Sequence, residues 1–91
     1  MLPNSYFNLK FQKNKSEKMT AGLTVSRRVS KKATVRNLLK RRAREIFRKN
    51  LDKIKAGYDL FFIFSKPAAA LSFQELEKEI LGELSRFKLL K

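Results

Sequence analysis

The segment "YDLFFIFS" (58–65) constrains the fold more than any other part of this sequence. Its apolar residues form a nearly continuous run between Gly57 and Pro67, which is typical of a short strand buried on both faces. A membrane span would need about 18 apolar residues, so this run is too short to cross a bilayer. It is therefore predicted to be the core strand of a sheet.

Two earlier segments, "YFNLKF" (6–11) and "MTAGLTVS" (19–26), alternate between apolar and polar residues, as half-buried strands do. The predicted inward positions are Phe7, Leu9, Phe11, Ala21, Leu23 and Val25. The predicted outward positions include Asn8, Lys10, Thr24 and Ser26. The charged turn at 13–18 lies between the segments, so we predict that the two strands pair as a hairpin.

A basic amphipathic helix is predicted from about residue 34 to Asn50, with Ser30 and Thr34 as candidate N-caps. Its core-facing stripe spans about 80° of the helix surface. The stripe consists of Val35, Leu39, Ala43 and Ile46. The opposite side is predicted to carry Asn37, Lys40, Arg41, Arg44 and Arg48.

A second helix is predicted to begin at "SFQE" (72–75), where Ser72 and Glu75 have the spacing of a capping box. Its predicted apolar face contains Phe73, Leu76, Ile80, Leu84 and Phe87. Glu75, Glu79 and Glu83 recur at helical spacing and are predicted to form a solvated stripe.

These elements predict one domain, residues 1–91, with a two-layer α/β (α+β) sandwich fold. The sandwich would contain a small sheet of three to four strands, a basic crossover helix and a C-terminal helix. The N-terminal residues lack the charged and apolar regions of a secretory signal, so we expect a cytoplasmic protein. The absence of cysteine and histidine removes disulfides, thiolate metal sites and the commonest general base.

The net charge of +14 is concentrated in residues 27–55, which hold thirteen Lys/Arg against Glu45 and Asp52. A surface this basic predicts a polyanionic partner. A merely solvated helix face would leave uncompensated repulsion, and a lipid-bound helix would need a bulkier apolar face than one containing Ala43. A nucleic acid is therefore the favoured partner. RNA is favoured over DNA because the chain has a high predicted strand content and a polar sheet face.

The segment "VRNLLKRRAREIFR" (35–48) resembles the signature of the protein subunit of bacterial ribonuclease P. The positions that match are Arg36, Asn37, Lys40, Arg41, Arg44, Glu45, Phe47 and Arg48. The flanking segments "GLTVSRRV" (22–29) and "AGYDLFFIFSKPAA" (56–69) also resemble that family, and the likeness covers about residues 3–88. The resemblance implies a ribosomal-protein-five domain-two-like fold with a left-handed βαβ crossover.

The resemblance further implies a cofactor of a catalytic RNA, which assists endonucleolytic removal of the 5′ leader from precursor tRNA. Hydrolysis would be carried out by the RNA subunit with Mg²⁺ held mainly by that RNA, so no catalytic or metal-binding residue is expected in the protein. The expected partners are the ribonuclease P RNA and precursor tRNA, with one monomer per RNA, no membrane and no protein partner. The residues expected to contact the RNA subunit are Arg36, Asn37, Lys40, Arg41, Arg44 and Arg48.

A second group of residues is expected to contact the leader or other RNA. It consists of Asn8, Lys10, Thr24, Ser26, Arg27, Arg28, Lys31 and Lys32. For the last four, which lie between strand and helix, the sequence leaves open which RNA is contacted. For the strand positions, ordinary solvated polarity remains an equal alternative.

The sequence departs from the family pattern in two places. Leu38 stands where the family has a third cation, and Arg42 is predicted to lie on a different face of the helix. The first helix usual in the family, which carries aromatic residues and forms one wall of the leader cleft, has no match here. The alternatives are a ribosomal or other structural RNA-binding protein, a DNA-binding regulator and a stand-alone nuclease.

Overall fold

The computed structural model describes residues 6–91, so residues 1–5 of the predicted domain lie outside the described residues. Strands β1, β2 and β3 and helices α1 and α2 follow the predicted order along the chain. Their bounds are β1 Phe7–Lys13, β2 Thr20–Thr24, α1 Ala33–Lys49, β3 Tyr58–Phe64 and α2 Phe73–Arg86. Short 3-10 helices lie at Leu51–Lys53 and Lys66–Ala70. The predicted α/β sandwich with a small sheet, a basic crossover helix and a C-terminal helix is confirmed.

The predicted hairpin between the first two strands is wrong, because β3 lies between them in the order β1-β3-β2. β3 pairs antiparallel with β1 and parallel with β2. Gly57, the residue before β3, hydrogen-bonds to the segment between β1 and β2. Its N–H donates to the carbonyl of Lys18 (3.3 Å), and its carbonyl accepts from the N–H of Asn14 (2.9 Å). Its φ of +84° is one that few other residues adopt. The most apolar strand thus has both edges paired, and the more polar strands form the edges.

β3 is buried on one face only, so the prediction that it is buried on both is wrong. Leu60, Phe62 and Phe64 lie in the core, whereas Phe61 and Ile63 are 42% and 40% exposed. Residues of α1 and α2 belong to the same buried cluster as Phe62. Both helices therefore cover one face of the sheet, and no other element within residues 6–91 covers its second face.

The strand register places the predicted inward residues of β1 and β2 on the core side of the sheet, but Phe11 (39% exposed) and Ala21 are not buried there. Phe7 and Phe11 pair with buried Phe64 and Leu60. Asn8 pairs with exposed Ile63 on the other face. The predicted second strand is too long, since β2 ends at Thr24 and the Ser26 carbonyl accepts from Val29 N–H in a turn (3.0 Å).

Helix α1 buries Leu39, Ala43 and Ile46 as predicted, and it also buries Phe47. Val35 of the predicted stripe is only half-buried. Neither Ser30 nor Thr34 is its N-cap, so that prediction is wrong. The N-cap is Lys32, whose side chain has no hydrogen-bond acceptor and makes no capping bond. The Ser30 Oγ accepts from the N–H of Lys32 (3.2 Å). The C-cap at Asn50 agrees with the predicted end of the helix.

Helix α2 begins with the predicted capping box, in which Ser72 and Glu75 each accept from the other's backbone N–H. Its buried residues Leu76, Ile80 and Leu84 confirm the apolar face. Phe73 is only half-buried and Phe87 is exposed beyond the helix end. Glu79 and Glu83 are half-buried rather than fully solvated, because they flank the core stripe instead of opposing it.

Asn50 links the end of α1 to α2. Its side chain is buried, and Nδ2 donates to the Ile46 carbonyl (2.8 Å) and to Oε2 of Glu77 (2.9 Å). This bond, more than the nearby Lys49, lowers the pKa of Glu77. The contact helps to hold α1 in one position relative to the rest of the fold.

Acidification is expected to weaken the fold only below about pH 5. Hydrogen bonds lower the pKa values of Asp59, Glu75 and Glu77, mainly from Thr20, the Ser72 backbone and Asn50 respectively. A depressed pKa contributes stability above the unfolded-state pKa, and that stability is lost as pH falls through the folded-state pKa. With no histidine in the chain, urea unfolding free energy should stay level from about pH 8 to 5 and then fall. Glu77→Gln should reduce the fall relative to Glu17→Gln, and an equal fall in both variants would contradict the prediction.

Candidate nucleic-acid interface

The solvent side of α1 presents Asn37, Arg41, Arg44 and Arg48, which we call the α1 basic face. The reverse side of the helix is packed into the core through Leu39, Ala43, Ile46 and Phe47, so the helix cannot rotate without exposing them. Lys40 and Arg36 were predicted to act with this face, but both are half-buried on its flank. The core contacts thus fix the direction in which the α1 basic face points.

The cations of the α1 basic face are available to a ligand. Within residues 6–91, Asn37, Arg41 and Arg44 make no side-chain hydrogen bond or ion pair. Arg48 pairs with Glu45 at 2.7 Å, and hydrogen bonding to that carboxylate raises the pKa of Arg48. Both partners are largely exposed, so the pair contributes little and a phosphate can replace the carboxylate.

Leu38 is 42% exposed beside the α1 basic face. Arg42 does not substitute for the cation expected there, because its Nη1 donates to the Leu71 carbonyl at 2.8 Å, between α1 and the start of α2. Arg42 therefore has a structural role. Position 38, next to the cations of the α1 basic face, carries an apolar side chain and no positive charge.

Leu38→Arg is expected to add a phosphate contact and strengthen RNA binding. The exposed position accommodates a long side chain, so folding should not change. One added contact corresponds to a rise of about 0.9 in the log-log salt slope, or roughly 5-fold in affinity near 0.15 M salt. Filter binding to a structured RNA across a salt series measures both quantities. Leu38→Gln is the control, and equal slopes for the two variants would show that no phosphate lies near position 38.

Arg27, Arg28, Lys31 and Arg36 line a common cavity of about 500 Å³, which we call the loop pocket. Nη1 of Arg36 donates to the carbonyls of Ser30 (2.9 Å) and Lys31 (3.1 Å), which fixes this arginine against the loop. Lys32, predicted to act with this group, is exposed and does not line the pocket. The structure therefore joins the loop cations to α1 through Arg36, a grouping that the sequence did not reveal.

The uncovered face of the sheet holds three of the predicted leader-contacting residues, Asn8, Lys10 and Thr24. Ser26 lies beyond it in the turn, where its Oγ accepts from the N–H of Arg28 (3.3 Å). Sequence reasoning missed Phe61, whose ring lies against Gly22 so closely that a Cβ there would be 3.2 Å from Cδ1. The alternation of buried and exposed positions in the paired strands was the signal that could have placed Phe61 on this face.

Asp59 carries the negative charge of the uncovered sheet face within the described part of the chain. Its carboxylate accepts from Thr20 Oγ1 (2.6 Å) and Asn14 Nδ2 (2.8 Å), with Gln12 Nε2 at 3.5 Å. These bonds, led by the one from Thr20, lower the Asp59 pKa. These hydrogen bonds connect β3 to β2 through Thr20 and to the end of β1 through Gln12 and Asn14. The Asp59 carboxylate therefore has a structural role.

These groups can neutralise phosphates and stack against bases. No group of three or more His, Cys, Asp or Glu side chains among residues 6–91 could hold a metal ion. In the same residues, no helix has the length and apolar character needed to span a bilayer. The chemistry present is that of an RNA-binding surface.

Comparisons with known proteins agree with this geometry. Residues 2–88 match the family Ribonuclease P. The chain is similar to the ribonuclease P protein component of Clostridioides difficile, with 37% identity over 84 residues, 91% of this chain and 73% of that protein. The Thermotoga maritima component is 36% identical over 91 residues, covering 96% of this chain and 77% of that protein.

Solved structures show the same fold. The RNase P protein of Thermotoga maritima has a TM-score of 0.83 and 37% identity, covering 93% of this chain and 80% of that one. The RNase P protein of Staphylococcus aureus has a TM-score of 0.87 and 25% identity, covering 99% of this chain and 82% of that one.

Proposed function

This chain belongs to the Ribonuclease P family and is a protein cofactor of ribonuclease P, and we propose that it binds the catalytic RNA through the α1 basic face. The alternative of a ribosomal or other structural RNA-binding protein is not favoured by these matches. The main observation supporting this proposal is that Arg41 and Arg44 are exposed and have no partner within residues 6–91, while the opposite side of α1 is packed into the core.

The proposed role is non-catalytic. Phosphodiester hydrolysis by metal ions needs clustered carboxylates or other oxygen ligands. The described residues provide no such cluster. Mg²⁺ would accordingly be held mainly by the partner RNA, while this chain neutralises phosphates and lowers the metal concentration that the RNA requires. Arg36, Asn37, Lys40, Arg41, Arg44 and Arg48 remain the residues proposed to contact that RNA.

Cleavage of precursor tRNA at low Mg²⁺ tests this role. Three reactions are compared: the cognate ribonuclease P RNA alone, this protein alone, and the two together. We expect 5′ leader removal only when both are present, with a monomer of the protein in a 1:1 complex with the RNA. Cleavage by the protein alone would establish a nuclease instead. Tight RNA binding without any increase in cleavage would instead support the alternative of a structural RNA-binding protein.

The uncovered sheet face is proposed to carry the precursor tRNA leader. Asn8, Lys10 and Thr24 offer polar contacts there, and the exposed ring of Phe61 offers a surface on which a base can stack. Such a substrate also implies a cytoplasmic site of action, where precursor tRNA is processed.

A photoreactive nucleotide in the leader should crosslink to the uncovered sheet face. We expect adducts within 8–12, 20–24 or 59–63, mapped by mass spectrometry of the ternary complex. The same probe placed in the acceptor stem serves as the control and should not label these strands. Adducts confined to α1 would refute the proposed leader path without affecting the family assignment.

A further inference from the structure

Three aromatic side chains, Phe11, Tyr58 and Phe87, meet at one end of the covered sheet face and form what we call the end cluster. The ring centre of Phe11 lies 6.3 Å from that of Tyr58 and 5.3 Å from that of Phe87. Phe11 and Phe87 are nevertheless 39% and 36% exposed, and neither belongs to the buried core. Packing within the fold therefore leaves part of both rings available to a ligand.

Contacts between the rings hold the end cluster in one arrangement. Tyr58 meets Phe11 edge-on, at an interplanar angle of 66°, and Phe87 is tilted to Phe11 by 56°. Aromatic rings in such arrangements attract one another, because the positive edge of one ring faces the negative face of the other. Since the Phe11 ring is already held in place, a flat ligand can stack on it at a small entropic cost.

A Schellman motif ends α2 and positions Phe87. The N–H of Leu89 donates to the Leu84 carbonyl (2.8 Å), and the N–H of Lys88 donates to the Ser85 carbonyl (3.0 Å), as this motif requires. Leu89 is buried, so the chain beyond the helix is anchored in the core. Phe87 is the C-cap residue between these bonds, and its backbone is therefore fixed relative to the sheet.

Lys88 has a left-handed backbone conformation, with a φ of 59°. Glycine is the usual residue at this position of a Schellman motif, because a Cβ is disfavoured there. No other non-glycine residue among residues 6–91 has a positive φ. The fold alone would thus favour glycine at position 88, whereas the lysine places an exposed positive charge next to Phe87.

Further cations lie beside the end cluster. The guanidinium of Arg86 lies 5.2 Å from the centre of the Phe87 ring, and its ion pair with Glu83 (3.3 Å) occupies that carboxylate. Lys13 is exposed two residues after Phe11, so it lies on the same side of β1. Exposed rings flanked by cations suit a ligand that is both aromatic and anionic, and a nucleotide has both properties.

β1 connects the end cluster with the uncovered sheet face. It is an edge strand, so no other strand within residues 6–91 blocks passage around its outer side. Lys10 lies on the uncovered face, and Phe11, the next residue, lies on the covered one. A flexible single strand of RNA that crosses Lys10 can therefore pass around β1 and reach Phe11, which favours the unpaired leader over a helical segment of RNA.

We propose that the end cluster binds a second stretch of the precursor tRNA leader, adjoining the stretch on the uncovered sheet face, by stacking on its bases. The inference rests on the proposed function and extends the leader path around the edge of the sheet. A base would stack on the Phe11 ring, while Lys13 and Lys88 would neutralise the phosphates beside it.

Abasic substitution in the leader tests this stacking. Each leader nucleotide in turn is replaced by an abasic one, which keeps the phosphate, and the affinity of the precursor tRNA is measured for the complex of this protein with ribonuclease P RNA. We expect about one or two positions outside the segment that crosslinks to the uncovered sheet face to weaken binding about tenfold. No such position in the original chain would overturn the proposal.

Substitution of the rings should remove the effect of those abasic positions. Phe11→Leu/Phe87→Leu keeps apolar side chains but removes the flat rings, so the intact leader should bind about tenfold less tightly and the abasic positions should have no further effect. Phe11→Tyr/Phe87→Tyr keeps the rings and should behave as the original chain does. Abasic positions that act equally in the leucine and tyrosine variants would overturn the proposal.

Lys88→Gly separates the positive charge from the needs of the fold. Glycine relieves the left-handed backbone, so the urea midpoint of unfolding should not fall. The log-log salt slope of leader binding should nevertheless fall by about 0.7, the value for one phosphate contact of a single strand. Lys78→Ala removes an exposed charge from the middle of α2 and should leave the slope unchanged. Equal slopes for these two variants would overturn the proposed contact of Lys88.

Two other occupants of the end cluster have distinct outcomes. If Phe11→Leu/Phe87→Leu weakened binding to ribonuclease P RNA alone, that RNA would be the ligand and the leader assignment would fall. If this variant lost only its binding to phosphatidylglycerol vesicles, the ligand would be a membrane. In both cases, leader removal by the protein and RNA together would still support the proposed function, whereas failure of that cleavage assay would remove the proposed function as well.

Discussion

Replacing Arg41 and Arg44 together by alanine is expected to weaken binding to ribonuclease P RNA about 30-fold near 0.15 M salt. Each arginine that neutralises a phosphate releases a counterion, so losing two should lower the log-log salt slope by about 1.8. Both side chains are exposed and without partners within the described residues, so their removal leaves no buried group unsatisfied. Folding stability should therefore stay within about 0.5 kcal/mol of the original.

The matched control is Lys15→Ala/Lys78→Ala, which lowers net charge by the same two units at exposed sites outside α1. If RNA attraction were a property of total charge alone, the two double variants would lose affinity equally. A contact surface predicts a loss concentrated in the α1 pair. An unchanged slope in Arg41→Ala/Arg44→Ala would remove both arginines from the interface.

Phe62→Ala is expected to destabilise the fold by about 3–5 kcal/mol, a large part of the 5–15 kcal/mol typical of a domain. Phe62 is fully buried, and its ring lies 5.1 Å from the rings of both Phe7 on β1 and Phe47 on α1. Its loss would leave a cavity where the sheet and the basic helix meet. RNA binding should fall with the folded fraction, because α1 is positioned by this contact.

Phe61→Ala is the control, one residue away on the same strand. Its ring is 42% exposed on the uncovered face. We expect its effect on the urea unfolding free energy to be below about 1 kcal/mol. Comparable losses in the two variants would mean that β3 is covered on both faces in solution, contrary to the structure.

Much of the fold followed from local periodicity. The apolar stripe Leu39, Ala43 and Ile46, the capping box at Ser72 and the alternation in β1 all depend on residues within a few positions of one another. Helical and strand periods place such side chains on one face whatever the rest of the chain does. The α1 basic face was predictable for the same reason.

The neighbours of each strand were not predictable in this way. β1 and β2 are close in sequence and were expected to pair, yet β3 separates them. Each strand can pair with any other strand of the chain, and the pairing that forms is the one that best satisfies the backbone hydrogen bonds and buries the apolar faces of the whole sheet. A local sequence pattern contains no information about the competing strands. The exposure of Phe61 has the same origin, since it depends on both helices packing on one side.

Residue types and their spacing were enough to indicate a nucleic-acid-binding chain, because excess cationic charge on one side of a helix is a local property. Only the folded structure could show that Arg36 turns away from Arg41 to join Arg27, Arg28 and Lys31 in the loop pocket. Its guanidinium is held by the Ser30 and Lys31 carbonyls, whose positions depend on Val29 being buried in the core. The grouping of these four cations depends on how the loop and α1 pack against the core, and that packing is determined jointly by all of the helices and strands.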